Sequence, residues 1–453
     1  MLASTLVVIG GGLAGCEAAW QAAERGLDVV LVEMRPGVQT GAHQTADLAE
    51  LVCSNSLGSA LPDRASGILM AELEQLGSLL LRMARQSALP AGGALAVDRR
   101  LFAHSVTRAI ESHPRIRLRR EEARRIPDQL AVLASGPLTS PALASELAQL
   151  TGEEHLYFYD ALSPIVEGDS IDRTVAYSAS RYGRGQAEEG DYLNCPLDRD
   201  EYEAFVKALL SAERHAPHAF ETAVLKGVKG GASPFFEGCL PVEVIAARGR
   251  DSLAFGPLRP VGLRDPRTGK RPHAVVQLRR ENASGSLYNL VGFQTTLAVS
   301  AQREVFRMIP GLERAEFSRF GQMHRNTFVN APRLLRPTLQ LRGWDRLLLA
   351  GQITGVEGYL GNIATGLLAG LNASLIAQGR PALELPATTM LGGLCQYITR
   401  ADPGTFQPMK ANLALLDPLA EPPRGKPQRG AAYASRSAAC LAESLSRHQS
   451  LCA

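Results

Sequence analysis

No two of the seven cysteines (Cys16, Cys53, Cys195, Cys239, Cys395, Cys440, Cys452) lie within three residues of each other. That spacing excludes a zinc knuckle and a CxxC redox pair, and an odd number in so long a chain argues against a disulfide scaffold. The nine histidines show no HxxxH or HxH spacing, so no metal site is expected. The first cation is Arg25, so the basic start of a signal peptide is missing. No run is read as the roughly 18 uncharged apolar residues of a membrane span, and a cytoplasmic soluble protein is expected. Net charge is also scarce: 48 Lys and Arg stand against 45 Asp and Glu, leaving +3. A nucleic-acid partner is permitted but not announced, and any basic surface must be local.

What is present is chain length, apolar residues and glycine. The 453 residues exceed the roughly 250 to 300 at which single cores stop growing, so two domains or one domain with a large insertion is expected. The 43 glycines exceed the roughly 7% of ordinary usage, which suggests tight turns or loops approached closely by a ligand. They are concentrated where the chemistry begins. Leu6 to Ile9 is a short apolar, mostly β-branched run, Gly10-Gly11-Gly12-Leu13-Ala14-Gly15 follows, and Cys16 to Arg25 reads as a helix. Gly26 suits a helix C-terminus, and Leu27 to Glu33 reads as a second strand ending on an acid 23 residues after Gly10.

A GxGxxG pattern between a strand and a helix, answered by an acid at the next strand end, is the fingerprint of a dinucleotide site. Gly10 permits the turn, Gly12 lets backbone N–H groups approach a pyrophosphate at the helix N-terminus, and Gly15 allows close helix–strand packing. Gly11, Leu13 and Ala14 complete the cradle. Glu33, followed by Met34 and Arg35, is placed at a ribose. A second glycine-rich segment, Gly351-Gln352-Ile353-Thr354-Gly355-Val356-Glu357-Gly358, follows the strand-like Arg346 to Ala350. A chain returning to lay another helix N-terminus beside the cofactor suits the flavin end of FAD, so FAD is preferred over NAD.

Between these segments, Leu69, Leu73, Leu76, Leu80 and Met83 predict one long amphipathic helix from Ser66 to Ser87 despite Gly77. A helix, a strand around Arg115 to Arg120 and a buried strand from Leu130 to Ala134 complete a first α/β block by about residue 150. Residues 151–334 are read as an inserted α+β domain, and 335–453 as the resumed first domain, with Ile363 to Ala377 a small-residue helix. Pro422 to Arg429 is expected to be an exposed linker leading into a basic C-terminal tail.

Two cysteines carry candidate chemistry. Cys53 lies in the polar turn Leu51-Val52-Cys53-Ser54-Asn55-Ser56 just after the dinucleotide unit, near the expected flavin, although a buried structural role competes. Cys239 lies in a loop whose Gly and Pro flanks would hold its side chain outward. Lys226 and Lys229 would favour its thiolate, and Glu237 would oppose it. Two basic clusters could track a phosphate backbone, one formed by Arg115, Arg117, Arg119, Arg120, Arg124 and Arg125, the other by Arg424, Lys426 and Arg429; a solvated basic face is the alternative.

With these residues in view, the chain resembles the folate- and FAD-dependent tRNA (uracil-5-)-methyltransferase family, TrmFO, over nearly its whole length. The resemblance is carried in order by Glu50 to Leu57, Ser180-Arg181-Tyr182 with Asn194-Cys195-Pro196, Phe236 to Pro241, Met323 to Thr327, and Gly351 to Tyr359. It implies an α/β fold with a glutathione-reductase-like, Rossmann-type FAD-binding domain and an inserted domain. It also implies that reduced FAD takes a methylene group from 5,10-methylenetetrahydrofolate and delivers it to C5 of the T-loop uridine at tRNA position 54, with NADPH or NADH reducing the flavin. Cys239 would then be the nucleophile at uracil C6. Cys53 would sit by the isoalloxazine as a candidate base for the C5 proton, and Tyr359 with His324-Arg325-Asn326 would surround folate and flavin. The chain departs from the family pattern at Gly58, where a basic residue is usual, at Gly361-Asn362-Ile363 and at Lys410-Ala411-Asn412-Leu413-Ala414. The last two lie in segments expected near the cofactor, which puts particular flavin or folate contacts in doubt.

Overall fold

The computed structural model describes residues 5–153, 156–183, 185, 190–214 and 240–447, apart from the side chains at 156–161 and 323–325. The strand Thr5–Ile9 runs parallel to Asp28–Glu33 on one side and to Ala131–Leu133 on the other. Its Leu6 and Val8 are completely buried, as expected for a central strand of a sheet covered on both faces. The six-stranded sheet has the order Gln340–Leu341, Trp344–Leu349, Ala131–Leu133, Thr5–Ile9, Asp28–Glu33, Ile116–Arg120. Trp344–Leu349 therefore returns about 200 residues later to pair with Ala131–Leu133.

The helix Leu13–Glu24 crosses between the first two strands and packs against Tyr359–Ala377. The crossing is close enough that a Cβ on Gly366 would lie 2.2 Å from the Ala14 carbonyl oxygen, and one on Gly370 would lie 2.4 Å from that of Ala18. Glycine is what permits this backbone-to-backbone approach. Tyr359–Ala377 has no charged residue, and among the described residues it is the one helix long and apolar enough to cross a membrane. The expectation that no such run exists is corrected, but 89% of its apolar window is buried within the fold. A helix apolar all round is what a position between a sheet and other helices demands.

Two further expectations are overturned. The long helix over 66–87 is two helices, Ala65–Gln75 and Leu79–Gln86. Gly77 has φ +74°, which ends the first helix. The second is restarted by caps: the Ser78 hydroxyl accepts from Leu81 N at 3.2 Å, and the buried Glu17 carboxylate accepts from Leu79 N and Leu80 N at 3.2 and 2.9 Å. The C-terminal segment is not a flexible basic tail either, because Lys426 opens a helix running to Ser446. Ser437, Leu441 and Leu445 are buried, and a Cβ on Gly430 would meet the Asp63 carbonyl at 2.1 Å. The periodicity of apolar and small residues outweighs the Pro and Lys composition that suggested a linker.

A second sheet, antiparallel throughout, has the order Tyr177–Ala179, Tyr192–Leu197, Ala274–Arg280, Leu287–Leu290, Ile165–Glu167, Phe317–Arg319. Its own apolar core includes Cys195, Phe205, Leu253, Phe293 and Phe306. The helix Arg199–Ser211 covers it with Tyr202, Phe205, Val206 and Leu209, a helical i, i+3, i+4, i+7 stripe, and starts with a capping box between Asp198 and Glu201. The chain leaves the first block through Leu156–Ala161 and comes back through Met323–Phe328, and these two strands pair antiparallel. Past them, Phe328, Val329, Ala331 and Leu334 pack into the larger core around the first sheet.

Candidate active site

The glycine turn builds a cleft at the C-terminal edge of the first sheet. Gly10 has φ +107°, and a Cβ there would stand 2.4 Å from the Ala134 carbonyl oxygen. A Cβ on Gly15 would lie 1.8 Å from the Gly10 carbonyl oxygen, so Gly15 closes the turn on itself. Gly12 is different, because a Cβ there would meet nothing within 4 Å. It caps the helix Leu13–Glu24, and the unpaired N–H groups of that first turn face the cleft, a ready anion site. Gly10, Gly12, Leu13, Ala14, Glu33, Met34 and Arg35 line the cleft from one side, and Gly351, Gln352 and Tyr359 from the other.

Gly11 and Gly15 support the cleft without lining it. Gly11 N donates to Glu33 Oε2 at 2.7 Å, while Arg35 donates to Oε1 from its backbone N at 3.0 Å and its Nε at 2.9 Å. Arg35 is itself buried and also pairs with Glu50 at 3.2 Å. Burial works against the Glu33 charge, but the Arg35 charge and these donors outweigh it and hold the carboxyl below its ordinary 4.5. The acid is therefore fixed as a carboxylate at the end of its strand, an acceptor for sugar hydroxyls.

The cleft opens into a second cavity of about 430 Å³. Val52, Pro137, Leu138, Gln352, Tyr359 and Asn362 line both spaces. Cys53, Ser54, Asn326, Glu357 and Gly358 line the second. The 51–55 segment forms no strand or helix, and side chains from distant parts of the chain hold its backbone. The Tyr359 hydroxyl accepts from Cys53 N at 2.8 Å and Ser54 N at 3.0 Å. Arg319 donates to the Val52 and Cys53 carbonyls at 3.1 and 3.3 Å, and Arg99 donates to the Leu51 carbonyl. Asn55 donates to the Val97 and Arg280 carbonyls at 3.0 and 2.8 Å and accepts from Arg279 Nε at 2.7 Å.

This grip holds the thiol-bearing loop with a phenol and with guanidinium groups. Arg99 pairs with Glu281 at 2.8 Å. Burial, and next the like charge of Arg99, push the Arg319 guanidinium down to about 10. Burial, reinforced by Cys53, lifts the Tyr359 phenol well above its ordinary value, so it stays neutral. Arg99, Arg279, Glu281 and Arg319 were not singled out from the sequence, since nothing local marks an arginine that will reach a backbone hundreds of residues away. Cys16, Cys195 and Cys395 are buried thiols pushed up by desolvation, which leaves them inert. Cys239, Lys226, Lys229 and Glu237 lie outside the described residues, as do the side chains of His324 and Arg325; Asn326 is buried and lines the cavity.

The residues present fit a flavin dinucleotide. Two helix N-termini, of Leu13–Glu24 and Tyr359–Ala377, meet at the joined cavities, and the Cα of Gly12 faces open space. Asn362 Oδ1, where cleft and cavity meet, is buried with no hydrogen-bond partner, a site that calls for a donor from a ligand. Among the described residues no group of His, Cys, Asp and Glu could hold a metal ion. The three departures from the family pattern, spread over some 350 residues, converge here: Gly58, Gly361 with Asn362, and Lys410 with Ala411 all line the thiol cavity. Lys410 places a cation in the same space as Gly58.

The Arg115 to Arg125 cluster is an edge strand and the turn after it, largely compensated by acids. Arg115 pairs with Asp28 at 3.2 Å, Arg119 with Glu121 at 3.7 Å, Arg120 with Glu111 at 3.8 Å and Arg124 with Glu122 at 2.8 Å. Arg424 precedes the C-terminal helix, while Lys426 and Arg429 stand on its exposed first turn.

Comparison with known proteins agrees with this architecture. Residues 5–381 match the family described as Glucose inhibited division protein A. The chain is 55% identical to the Methylenetetrahydrofolate--tRNA-(uracil-5-)-methyltransferase TrmFO of Moorella thermoacetica, covering 96% of this chain and 97% of that one. It is 56% identical to the protein of the same name from Synechococcus sp. (strain JA-2-3B'a(2-13)), covering 96% and 92%. Among solved structures, Aquifex aeolicus GidA in the form I crystal superposes with a TM-score of 0.67 at 18% identity, over 97% of this chain and 76% of that chain, a likeness of fold. With a dinucleotide cleft that opens onto a gripped thiol, and with such identity along nearly its whole length, the chain belongs to the TrmFO family.

Proposed function

We propose that this chain is an FAD-dependent methylenetetrahydrofolate--tRNA-(uracil-5-)-methyltransferase that makes 5-methyluridine at position 54 of the tRNA T loop in the cytoplasm. One observation supports it above the rest: the Cys53 loop faces a cavity continuous with the dinucleotide cleft, so a flavin anchored at Gly12 and Glu33 extends toward a thiol. Residues 151–334 are proposed as the inserted domain that receives the RNA. Gly12, Leu13 and Ala14 would hold the pyrophosphate, Glu33 the ribose, and Gln352, Gly358, Tyr359 and Asn362 the flavin end.

Uracil C5 is a poor carbon nucleophile until a thiolate adds at C6 and gives C5 enolate character. We assign that addition to Cys239. C5 then bonds the one-carbon unit drawn from methylenetetrahydrofolate, which is at the oxidation level of formaldehyde. Loss of the C5 proton, assigned to Cys53 as base, breaks the bond between the one-carbon unit and its carrier and leaves an exocyclic methylene at C5, and hydride addition to that methylene expels the Cys239 thiolate and restores the C5–C6 double bond. Bound reduced flavin would supply the one-carbon carrier and the two electrons, as hydride, that turn methylene into methyl, and NADPH or NADH would restore it. Arg99, Arg319 and Tyr359 keep the Cys53 backbone in register and exclude water from its amide and carbonyl groups.

The test uses tRNA carrying 5-fluorouridine at position 54 with methylenetetrahydrofolate and NADPH. Fluorine cannot leave as a proton does, so a thiol adduct should accumulate as a covalent protein–tRNA band that disappears in Cys239→Ala. An undiminished band in that variant would overturn the nucleophile assignment, and a purified protein without a yellow chromophore would overturn the flavin.

A further inference from the structure

The reading as a tRNA enzyme leaves open where the RNA rests, and the Arg115 to Arg125 cluster, largely paired with acids, does not answer it. A third region has the surplus that the Arg115 to Arg125 cluster lacks. Between Arg248 and Arg271 the sequence places Arg248, Arg250, Arg259, Arg264, Arg267, Lys270 and Arg271 against only Asp251 and Asp265. Arg250 pairs with Glu203 and Arg267 with Asp265, but among the described residues Arg259, Arg264, Lys270 and Arg271 form no ion pair with an acid, and all four are exposed.

Large aromatic rings accompany these charges. Phe255, ending the helix Ser252–Phe255, is 85% exposed, and Tyr182 is 65% exposed, the two highest values among the large exposed apolar side chains. A short stretch of backbone joins them. The loop after Phe255 runs along the second sheet, its Leu258 carbonyl accepting from Val275 N at 2.8 Å. It then meets the Arg181–Tyr182 turn: Tyr182 N donates to the Gly262 carbonyl at 3.0 Å, and Arg181 donates to the carbonyls of Arg259 and Val261.

The Tyr182 backbone is strained. Of the three non-glycine residues with positive φ among those described, Ala49 and Leu339 are fully buried, whereas Tyr182, at φ +58°, is exposed. Such strain costs of order 1–3 kcal/mol and persists where surrounding structure imposes it, commonly at functional sites. Here it lays the ring against Gly262, where a Cβ would come within 3.1 Å of two ring carbons, and leaves the side chain 65% exposed. Burial, and next the nearby Arg259 charge, depress the Arg181 guanidinium, so like charges are held together where an anion would relieve them.

We propose that the Arg181–Tyr182 turn and the Phe255 to Arg271 loop form the surface on which the tRNA loop docks, with the Tyr182 ring stacking on an unpaired base and Arg259 and Arg264 on flanking phosphates. Aromatic rings beside a cationic track are the physical means of holding single-stranded RNA, since every base has a π-face and every nucleotide a charge.

The experiment measures tRNA dissociation constants of the full-length protein by fluorescence anisotropy across a salt series. Tyr182→Gly removes the ring and also relieves the positive φ, so its thermal midpoint should hold or rise while the dissociation constant increases at least about five-fold. Arg259→Ala and Arg264→Ala should each weaken binding and flatten the salt slope by roughly 0.7 to 0.9. Arg119→Ala, at the compensated cluster, should leave both unchanged. Wild-type affinity and salt slope in a Tyr182→Gly, Arg259→Ala double variant would overturn the docking surface alone. Failure of the wild-type chain to bind tRNA at all would overturn the RNA reading with it.

Discussion

The dinucleotide cleft and the thiol cavity open into each other, yet they are built by opposite means. The cleft is made mainly of backbone: a turn with φ +107° at Gly10, a helix N-terminus at Gly12, and a carboxylate held by Gly11 N and its near neighbour Arg35. The determinants of that wall lie within the first 35 residues, and Gly351, Gln352 and Tyr359 close the cleft from the other side. The thiol loop has no repetitive structure of its own: its backbone groups are met by Arg99, Arg319 and Tyr359, and its Asn55 side chain by Arg279, side chains from four distant segments. A local site fails when one atom does not fit. A site assembled over long range fails when one distant partner is lost, with no clash anywhere.

The sharpest way to break that contrast is within the glycine turn itself. Gly15→Ala puts a Cβ 1.8 Å from a backbone carbonyl oxygen, and no flexible atom can yield. We expect loss of bound flavin, read by visible absorbance, with a fall in thermal midpoint. Gly12→Ala meets nothing within the protein, so it should fold with the wild-type midpoint and lose only FAD affinity, measured by flavin fluorescence titration. Equal behaviour of the two variants would show that the turn does not work by steric fit.

In the cavity, Tyr359→Phe removes the one acceptor that meets both Cys53 N and Ser54 N. Leaving a buried donor unsatisfied costs about 1–3 kcal/mol, so the thermal midpoint should drop by several degrees with no new clash. Alkylation of Cys53 by iodoacetamide should change rate as the loop loosens, while an unaltered alkylation profile would show that Arg319 and Arg99 hold the loop unaided.

A smaller effect separates the two sites by pH. Glu33 is held below its ordinary 4.5 in the folded chain. Its contribution is therefore complete above the unfolded value and lost as pH falls through the depressed folded value. The stability advantage of wild type over Glu33→Gln should be constant at neutral pH and vanish under acid conditions, as followed by urea midpoints. Smallest of all, Arg115→Ala breaks an ion pair half exposed on both sides and should leave midpoint and FAD affinity unchanged, since exposed pairs contribute little.

The same contrast explains what could be read without coordinates. The first and second strands are located within a residue of their observed ends, because each is specified by its own apolar period, while the helix starts at Leu13, three residues before the expected Cys16 and inside the glycine turn. The return of the chain at Trp344–Leu349 into the first sheet was legible from its glycine-rich sequel. The break at Gly77 was missed because the apolar stripe continues in phase across it, and only the caps from Ser78 and Glu17 show that two helices share it. The C-terminal helix was missed because Pro and Lys at its start mimic a linker. The basic stretch from 248 to 271 was passed over, since its charges are spaced by loop residues and only become a surface beside Tyr182.

Sequence alone determined the parts whose physics is local: a glycine where a Cβ would strike a carbonyl, an acid at a strand end, a helix with an apolar stripe. Which arginines are neutralised at a sheet edge and which stand free of acids, which tyrosine accepts from a cysteine amide 306 residues away, and that Gly58, Asn362 and Lys410 share one cavity, were decided by tertiary structure. Hydrogen bonds and charge pairs act over a few ångströms of space and carry no signature in sequence separation.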